Sequence, residues 1–389
     1  MASVTELLPA LPWLVPFAGL FRLASNLPNL SNVASASGPL VSVIIPARNE
    51  AATIETVVHS VLATTYADVE LLVVDDRSTD ETAAIIGRLA EEDGRVRAIG
   101  GEPLPDGWYG KPWACFQGYR AARGELLLFT DADTRHSREL LARAVGALQA
   151  RQADLVTVAP RQRCESFWER LVMPQVWLLL GLRYHPARVN RARRERDVIA
   201  NGQFILVTRL GYEAVGTHEV VKHEVAEDLG LAQAYFRAGR RMHFAFAERL
   251  MQTRMYHGLP DLVEGWSKNM YLGGRRSFPH DRVLRALVPL MLVGSFVFWL
   301  VPPVALLATG GSGPIGTAAI VATVASALFW VLVSVGMRIP PQYGLGYPLG
   351  AVVALGIAVR SIWRGERRVE WRGRMYGEDG ERNSVKRKE

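Results

Sequence analysis

Cysteine is nearly missing from this chain. Of 389 residues only Cys115 and Cys164 are cysteine, and neither sits at a metal-ligand spacing. That excludes a disulfide-stapled scaffold and a cysteine-built metal site, and it fits a reducing compartment. The start has no basic stretch ahead of its apolar run, which Pro9, Pro12 and Pro16 interrupt, so no cleavable signal peptide is expected. No fixed-period repeat is present, which argues against a solenoid. Charge is also scarce in one place: residues 286–363 carry almost none.

What is present is divided along the chain. The length exceeds what one ordinary domain needs. The 49% hydrophobic and 21% charged shares are segregated rather than mixed. Residues 1–39 read as a hydrophobic anchor and linker. Leu7 to Leu23 is apolar and aromatic but short of the ~20 residues a spanning helix wants, so an interfacial or re-entrant anchor stands beside a true span. Residues 40–280 alternate apolar runs with charged stretches, as a catalytic α/β domain does. Residues 281–363 read as transmembrane helices. Residues 364–389 form a basic tail, placed in the cytoplasm by its charge.

Within 40–280 the pattern is β-α-β-α. Strands are predicted at Val41–Ile45, Glu70–Val74, Val96–Ile99, Glu125–Thr130 and Leu155–Ala159, with helices at Glu50–Ala63, Thr79–Ala90, Pro112–Ala122 and Ser137–Gln149. This alternation implies a mainly parallel sheet with helices on both faces. Phe167 to Leu182 is rich in Trp, Leu and Val, and fits either an amphipathic segment in a headgroup layer or a core helix. Three apolar stretches follow, at Ala286–Ala308, Ile315–Met337 and Tyr343–Trp363, each long enough to span. Three crossings would put the catalytic domain and the basic tail on opposite sides, against their shared cytoplasmic character. The net charge is +7, and its basic clusters, Arg183 to Arg196 and the tail, follow hydrophobic segments. Contact with anionic headgroups explains them better than nucleic acid, which is not expected as a partner.

Ligands of open α/β sheets bind at the carboxyl ends of the strands. Two predicted strand ends carry paired acids, Asp75-Asp76 and Asp131-Ala-Asp133. Clustered carboxylates repel, so folding explains them poorly. A divalent metal bridging them to a diphosphate would relieve the repulsion. A third acidic group, Glu227-Asp228, precedes the helical segment Leu229–Phe236, where capping by the dipole is the plain alternative.

The motifs taken together resemble the membrane-bound inverting family 2 glycosyltransferases, closest to those that glycosylate carotenoids and other lipids. The likeness runs from Val41 to Asn269. It is carried by Val43-Ile-Ile-Pro-Ala-Arg-Asn-Glu50, Val74-Asp-Asp-Arg-Ser-Thr-Asp80, Gly107-Trp-Tyr-Gly-Lys-Pro-Trp113, Phe129-Thr-Asp-Ala-Asp133, Asn201-Gly-Gln203, Ala226-Glu-Asp228 and Glu264-Gly-Trp-Ser-Lys-Asn269. The resemblance implies the GT-A fold, a Rossmann-like mixed sheet, joined here to C-terminal transmembrane helices. It implies an enzyme at the cell membrane that moves a sugar from a UDP- or GDP-linked donor to a lipid or terpenoid acceptor, with Mg²⁺ or Mn²⁺.

Site roles follow from the same resemblance. Pro46, Ala47, Arg48 and Glu50 would border the nucleoside, and Asp75, with Asp76 beside it, would meet the base. Asp131 would face the ribose or donor sugar, and Asp133 would hold the metal. Lys111, with Gly110 before it, would approach donor phosphates. Asp228 would be the general base, with Glu227 beside it. Gly202, Gln203, Arg254, Trp266 and Lys268 would serve acceptor and diphosphate. The Gln-x-x-Arg-Trp signature of processive relatives is incomplete, since the region reads Met251-Gln-Thr-Arg-Met-Tyr-His257. That favours adding one or few sugars over extruding a polysaccharide. The competing expectation is a non-catalytic membrane scaffold with a degenerate transferase domain.

Overall fold

The structure is a computed structural model that describes residues 4–24, 27–365, 369–371 and 374–376. The chain forms two compact units. One is α/β and holds residues 28–163 and 186–255; the other is helical and holds residues 1–27, 164–185 and 256–365.

The α/β unit is built on seven strands: β1 (Val41–Ala47), β2 (Val69–Asp75), β3 (Val96–Gly100), β4 (Leu126–Thr130), β6 (Leu155–Ala159), β8 (Phe204–Thr208) and β9 (Met242–Phe246). Their order across the sheet is β3-β2-β1-β4-β8-β6-β9. β1, β2, β3 and β4 run parallel, β8 is antiparallel to both β4 and β6, and β9 is parallel to β6. The sheet is therefore mixed, with one reversed strand inside it. A smaller sheet joins β5 (Thr134–His136), β10 (Met251–Thr253) and β7 (Arg161–Gln162) in that order.

The central strands are apolar on both sides because both faces are covered. Successive residues point to opposite faces, and the two cores divide accordingly. Val43, Ile45, Leu71, Val73, Leu128 and Leu206 join Val57, Val58, Leu141 and Val145 of two helices on one face. Ile44, Leu72, Leu127, Phe129, Ile205 and Val207 join Tyr212, Leu231 and Tyr235 on the other. Each such side chain contributes roughly 1.5–3 kcal/mol by leaving water. The same burial on both faces leaves the strand ends, not the strand middles, free to carry chemistry.

Residues expected to form a loose linker are packed. Leu30 is fully buried, Arg143 donates to the carbonyls of Ser31 (2.9 Å) and Val33 (2.6 Å), and Tyr66 donates to Pro39 O (2.6 Å). This segment therefore closes the α/β unit, which begins at Pro28. Residues 164–185 and 256–280, which the sequence groups with the α/β segment, cluster instead with the helices. Their helices, Phe167–Arg183 and Leu259–Arg276, are apolar where they pack, with Trp266 against Trp177 and Tyr256.

In the helical unit two helices are long and apolar enough to cross a membrane, Arg282–Thr309 and Gly313–Gly336. At 1.5 Å per residue they extend roughly 42 and 36 Å, beyond a hydrocarbon layer of ~30 Å. Only 17% of the most apolar window of the first is buried within the chain, so most of its apolar surface is left uncovered. Trp299 stacks on Phe329 at 4.9 Å and meets Trp330 edge-on, joining the pair. The third apolar stretch breaks into a short turn, Gln342–Leu345, and an 18-residue helix, Tyr347–Arg364. That helix buries one face (Tyr347, Gly350, Ala351, Ala354, Ile357, Ala358 and Ser361) and ends with Arg360 and Arg364 paired to Glu264. Near the N-terminus, Val15–Ala24 is 10 residues, about 15 Å, too short to cross. The turn before it is pinned by Trp13, which stacks on Phe298 and donates its indole N–H to Phe298 O at 2.9 Å. Of the basic tail, residues 369–371 and 374–376 pair as antiparallel strands, and the remainder from 366 lies outside the described residues.

Candidate active site

The sheet register assembles the site. Ala47 pairs with Asp75 across β1 and β2. Thr130 pairs with Phe204 across β4 and β8. Because β8 runs the other way, its start lies at the same edge as the ends of β1, β2 and β4. The residues just before β8, Asn201 to Gln203, therefore stand beside Asp131. Asp75, Asp131 and Gly202 come to one edge from three separate stretches of chain.

Two groups of side chains form there. The first is at the ends of β1 and β2. Asp76 N donates to Ala47 O (2.7 Å), and Arg48 Nη1 donates to the carbonyls of Asp76 (2.5 Å) and Arg77 (2.9 Å). Arg48 thus braces the turn after β2 as well as bordering it. Asn49 and Arg77 both take left-handed backbone angles, φ 54° and 57°. Asn49 Oδ1 accepts from Thr79 N (2.8 Å), and Asn49 N donates to Ser78 Oγ (3.0 Å). Glu50 N donates to Thr82 Oγ1 at 2.8 Å. Gly101 has no room for a side chain, since a Cβ there would lie 2.5 Å from Asp75 O. Asp76 is fully buried; Asp75 is half-buried and accepts from Ser78 N at 3.2 Å.

The second group surrounds Lys111, in the first turn of the helix Gly110–Ala121. Its Nζ lies 2.8 Å from Asp131 Oδ1 and 2.8 Å from Glu227 Oε1. Asp228 Oδ2 accepts from Gly202 N (2.9 Å) and its Oδ1 from Leu229 N (2.7 Å). A Cβ at residue 202 would sit 3.0 Å from Lys111 Nζ and 3.3 Å from both Asp228 Oδ2 and Glu227 Oε1. Glycine here lets backbone enter the charged cluster. The Lys111, Asp131 and Glu227 side chains keep 22%, 26% and 11% of their surface exposed, so the cluster is open to a ligand.

The electrostatics separate the two adjacent acids. Burial works against the charged form of Glu227, but the Lys111 ammonium outweighs it and holds the carboxyl below its usual range. Asp228 goes the other way: burial first, then the Glu227 charge, push it up to about 6, against the pull of Lys111 and of the Gly202 and Leu229 amides. Burial works to neutralise Lys111, yet Asp131 and Glu227 keep it well above the ordinary lysine value. Two neighbouring carboxyls held apart in this way are a signature of acid–base chemistry.

Asp133 follows on the same loop. Its carbonyl accepts from Thr253 Oγ1 (3.3 Å), and Thr253 Oγ1 in turn receives Gln203 Nε2 (3.3 Å). Thr134 Oγ1 donates to Asp131 O at 2.8 Å. Beneath the loop lies His136, fully buried, with Nε2 3.1 Å from Thr130 Oγ1 and 3.2 Å from Thr134 Oγ1. Burial depresses it to about 3, so it is a neutral strut. Nothing in the sequence pattern marked His136 or Thr253, because both are single buried polar residues on very short strands. Among the described residues no group of three or more His, Cys, Asp or Glu is arranged to hold a metal ion. Asp131 and Asp133 are nonetheless hard oxygen donors, the kind that hold Mg²⁺ or Mn²⁺ together with substrate phosphates.

The other expected site residues are distributed as follows. Pro46 and Ala47 close β1, fully within the sheet. Arg254 directly follows β10 in the α/β unit. Trp266 and Lys268 lie on Leu259–Arg276 of the helical unit, where Trp266 is buried with its indole N–H toward Met173 Sδ at 3.4 Å.

The mixed sheet, with paired acids at one edge, is typical of the GT-A fold. Residues 42–209 match the family described as Glycosyl transferase family 2. The chain is 27% identical over 258 residues to 4,4'-diaponeurosporenoate glycosyltransferase of Staphylococcus haemolyticus, and 28% identical over 259 residues to the enzyme of the same name from Staphylococcus aureus. These matches cover 65% and 66% of this chain and 66% of each relative's length. A mannosyltransferase from Pyrobaculum calidifontis, solved with GDP-Man and Mn²⁺, shares the fold with a TM-score of 0.56 at 19% identity, over 93% of this chain and 98% of its own.

Gly202→Ala is expected to displace Lys111 or the acid pair, because a neighbour must give way at 3.0–3.3 Å. Turnover falls roughly tenfold or more, about 1.4 kcal/mol in the barrier, while the thermal unfolding midpoint changes little. Both are measured on the same purified protein.

Proposed function

We propose that the chain is an inverting hexosyltransferase that moves one sugar from a nucleotide-diphospho-sugar to a hydroxyl or carboxyl oxygen of a lipid or terpenoid acceptor. The observation that carries this reading is geometric: Asp228 accepts the Gly202 and Leu229 amides at the ligand edge, beside a Glu227 paired to Lys111, and burial with the Glu227 charge pushes Asp228 up to about 6. A base poised near neutrality is what deprotonating an acceptor oxygen requires. In the proposed step a hydroxyl acceptor passes its proton to Asp228, whereas a carboxyl acceptor arrives already ionised and attacks directly. The acceptor oxygen bonds to the anomeric carbon from the face opposite the diphosphate, and the diphosphate leaves with the electron pair of the broken bond. The names of the Staphylococcus relatives support a terpenoid acid as acceptor.

Donor binding is assigned to the edge of β1, β2 and β4. Asp75 meets the base, the turn of Arg48 to Glu50 borders the nucleoside with Asp76 beneath, and Asp131 faces the ribose or sugar. Asp133 would hold a divalent ion, with donor phosphates supplying the remaining ligands, which fits the lack of a three-ligand group among the described residues. When bound, such an ion supplies positive charge to the leaving diphosphate. The Pyrobaculum complex with Mn²⁺ supports Mn²⁺ as readily as Mg²⁺.

The two long apolar helices are proposed to cross the cell membrane as a hairpin, which returns the chain to the side it left. The charges support this. Arg275, Arg276, Arg282 and Arg285 precede or open the first helix and Arg338 follows the second, while the turn between them, residues 310–313, has none. By the positive-inside rule the ends are cytoplasmic. An even number of crossings removes the conflict that three would create for the tail.

Four outcomes test the reading. Asp228→Asn should lower turnover by ~10²–10⁴ with nucleotide-sugar binding retained; wild-type kcat in this variant removes the base. Because the raised carboxyl must be ionised to act, wild-type kcat/KM should fall as pH drops through about 6 and level off above it. Asp133→Ala should abolish the metal dependence of donor binding seen by calorimetry. Ser312→Cys, in a chain freed of Cys115 and Cys164, should react with an impermeant maleimide added to intact cells; labelling only after lysis reverses the assigned orientation.

A further inference from the structure

Glu227 and Asp228 are consecutive acids at the start of one helix, Glu227–Arg237, and chemistry alone does not choose between them. The geometry does. Glu227 Oε1 is spent on the Lys111 ammonium at 2.8 Å, and that ammonium is also 2.8 Å from Asp131. Asp228 receives two backbone amides, from Gly202 and Leu229, neutral donors that orient a carboxylate without cancelling its charge. We propose that Lys111 is a positioning residue that selects Asp228 as the acceptor's base by holding Glu227 as its own ion-pair partner. The proposal rests on the reading of Asp228 as the base. It departs from the expectation that Lys111 serves donor phosphates.

The groups around the pair agree with this assignment. Those that face it are Lys111, Asp131 through Lys111, His218 and Cys115. His218 is fully enclosed and pushed down to about 4 by burial, so it adds no charge near neutrality; its Nδ1 is 2.5 Å from Tyr212 Oη. Cys115 lies one helical turn beyond Lys111 and is buried, which raises its thiol and keeps it protonated. Among the described side chains, the cation that acts on both acids is the ammonium of Lys111. A lysine that only braced the fold would leave the ionisation of Asp228 where it is.

The test is the pH dependence of kcat/KM for the full-length protein in detergent, beside donor affinity from a binding titration. Lys111→Met should lower turnover at neutral pH and move the acid limb upward by about 1–3 pH units. Glu227 then loses its counter-charge and Asp228 its nearest cation. Lys111→Arg should return the limb toward the wild-type position. Should Lys111→Met fail to fold, Glu227→Gln keeps the lysine and removes the neighbouring negative charge, and its limb should move to lower pH. An acid limb unmoved in Lys111→Met or in Glu227→Gln overturns the proposal. So does a Lys111→Met defect confined to donor affinity, which would make Lys111 a donor contact. Failure of the base assignment is distinguishable, because it shows as retained turnover in Asp228→Asn whatever happens at Lys111.

Discussion

The Lys111 ammonium between Asp131 and Glu227 is the contact on which the rest of the site depends. Carboxylates arriving from the end of β4 and from the start of a later helix would repel one another across a partly dry edge. One cation at 2.8 Å from each lets them stay ionised and close. Its position is set by the first turn of Gly110–Ala121, and a glycine at 202 leaves it space. Two buried like charges side by side would be costly, and here that cost is distributed unequally. Glu227 is stabilised as an anion, while Asp228 is left where a proton can come and go.

The reversed strand β8 does a different task. A wholly parallel sheet brings only strand ends to its ligand edge. With β8 antiparallel between β4 and β6, the segment that leads into a strand, Asn201 to Gln203, reaches the same edge. Its Gly202 amide orients Asp228, and its Gln203 side chain connects to Thr253 and so to the Asp133 loop. Asp228 and the acids at the end of β4 are thereby tied into one network of hydrogen bonds of 2.9–3.3 Å.

Much of this was legible in the sequence, for physical reasons that also mark where legibility stops. β1, β2 and β4 are continuous apolar runs, with acids following β2 and β4, so the strands and those acids were both visible. β8, Phe204–Thr208, is as apolar but carries no sign of its direction, because strand polarity is decided by pairing and not by composition. β5, β7 and β10 have two or three residues each, below any periodic signal, and His136 and Thr253 were hidden with them. The pairing of Lys111 with Glu227 joins residues 116 positions apart and leaves no local trace. Among the apolar stretches, length alone allowed all three to span, with Pro348 and several glycines setting the third apart. Tyr347–Arg364 differs because small residues line one face and Arg360 and Arg364 are engaged by Glu264.

The paired left-handed turns at Asn49 and Arg77 have a consequence of their own. Each backbone costs of order 1–3 kcal/mol to hold there, and each is held by contacts around the other: Asn49 through Ser78 and Thr79, Arg77 through the guanidinium of Arg48. Neither loop can relax alone, so the two behave as a latch set during folding. The rim of that edge therefore holds its shape without a ligand, and little ordering entropy would remain to be lost when one is captured there.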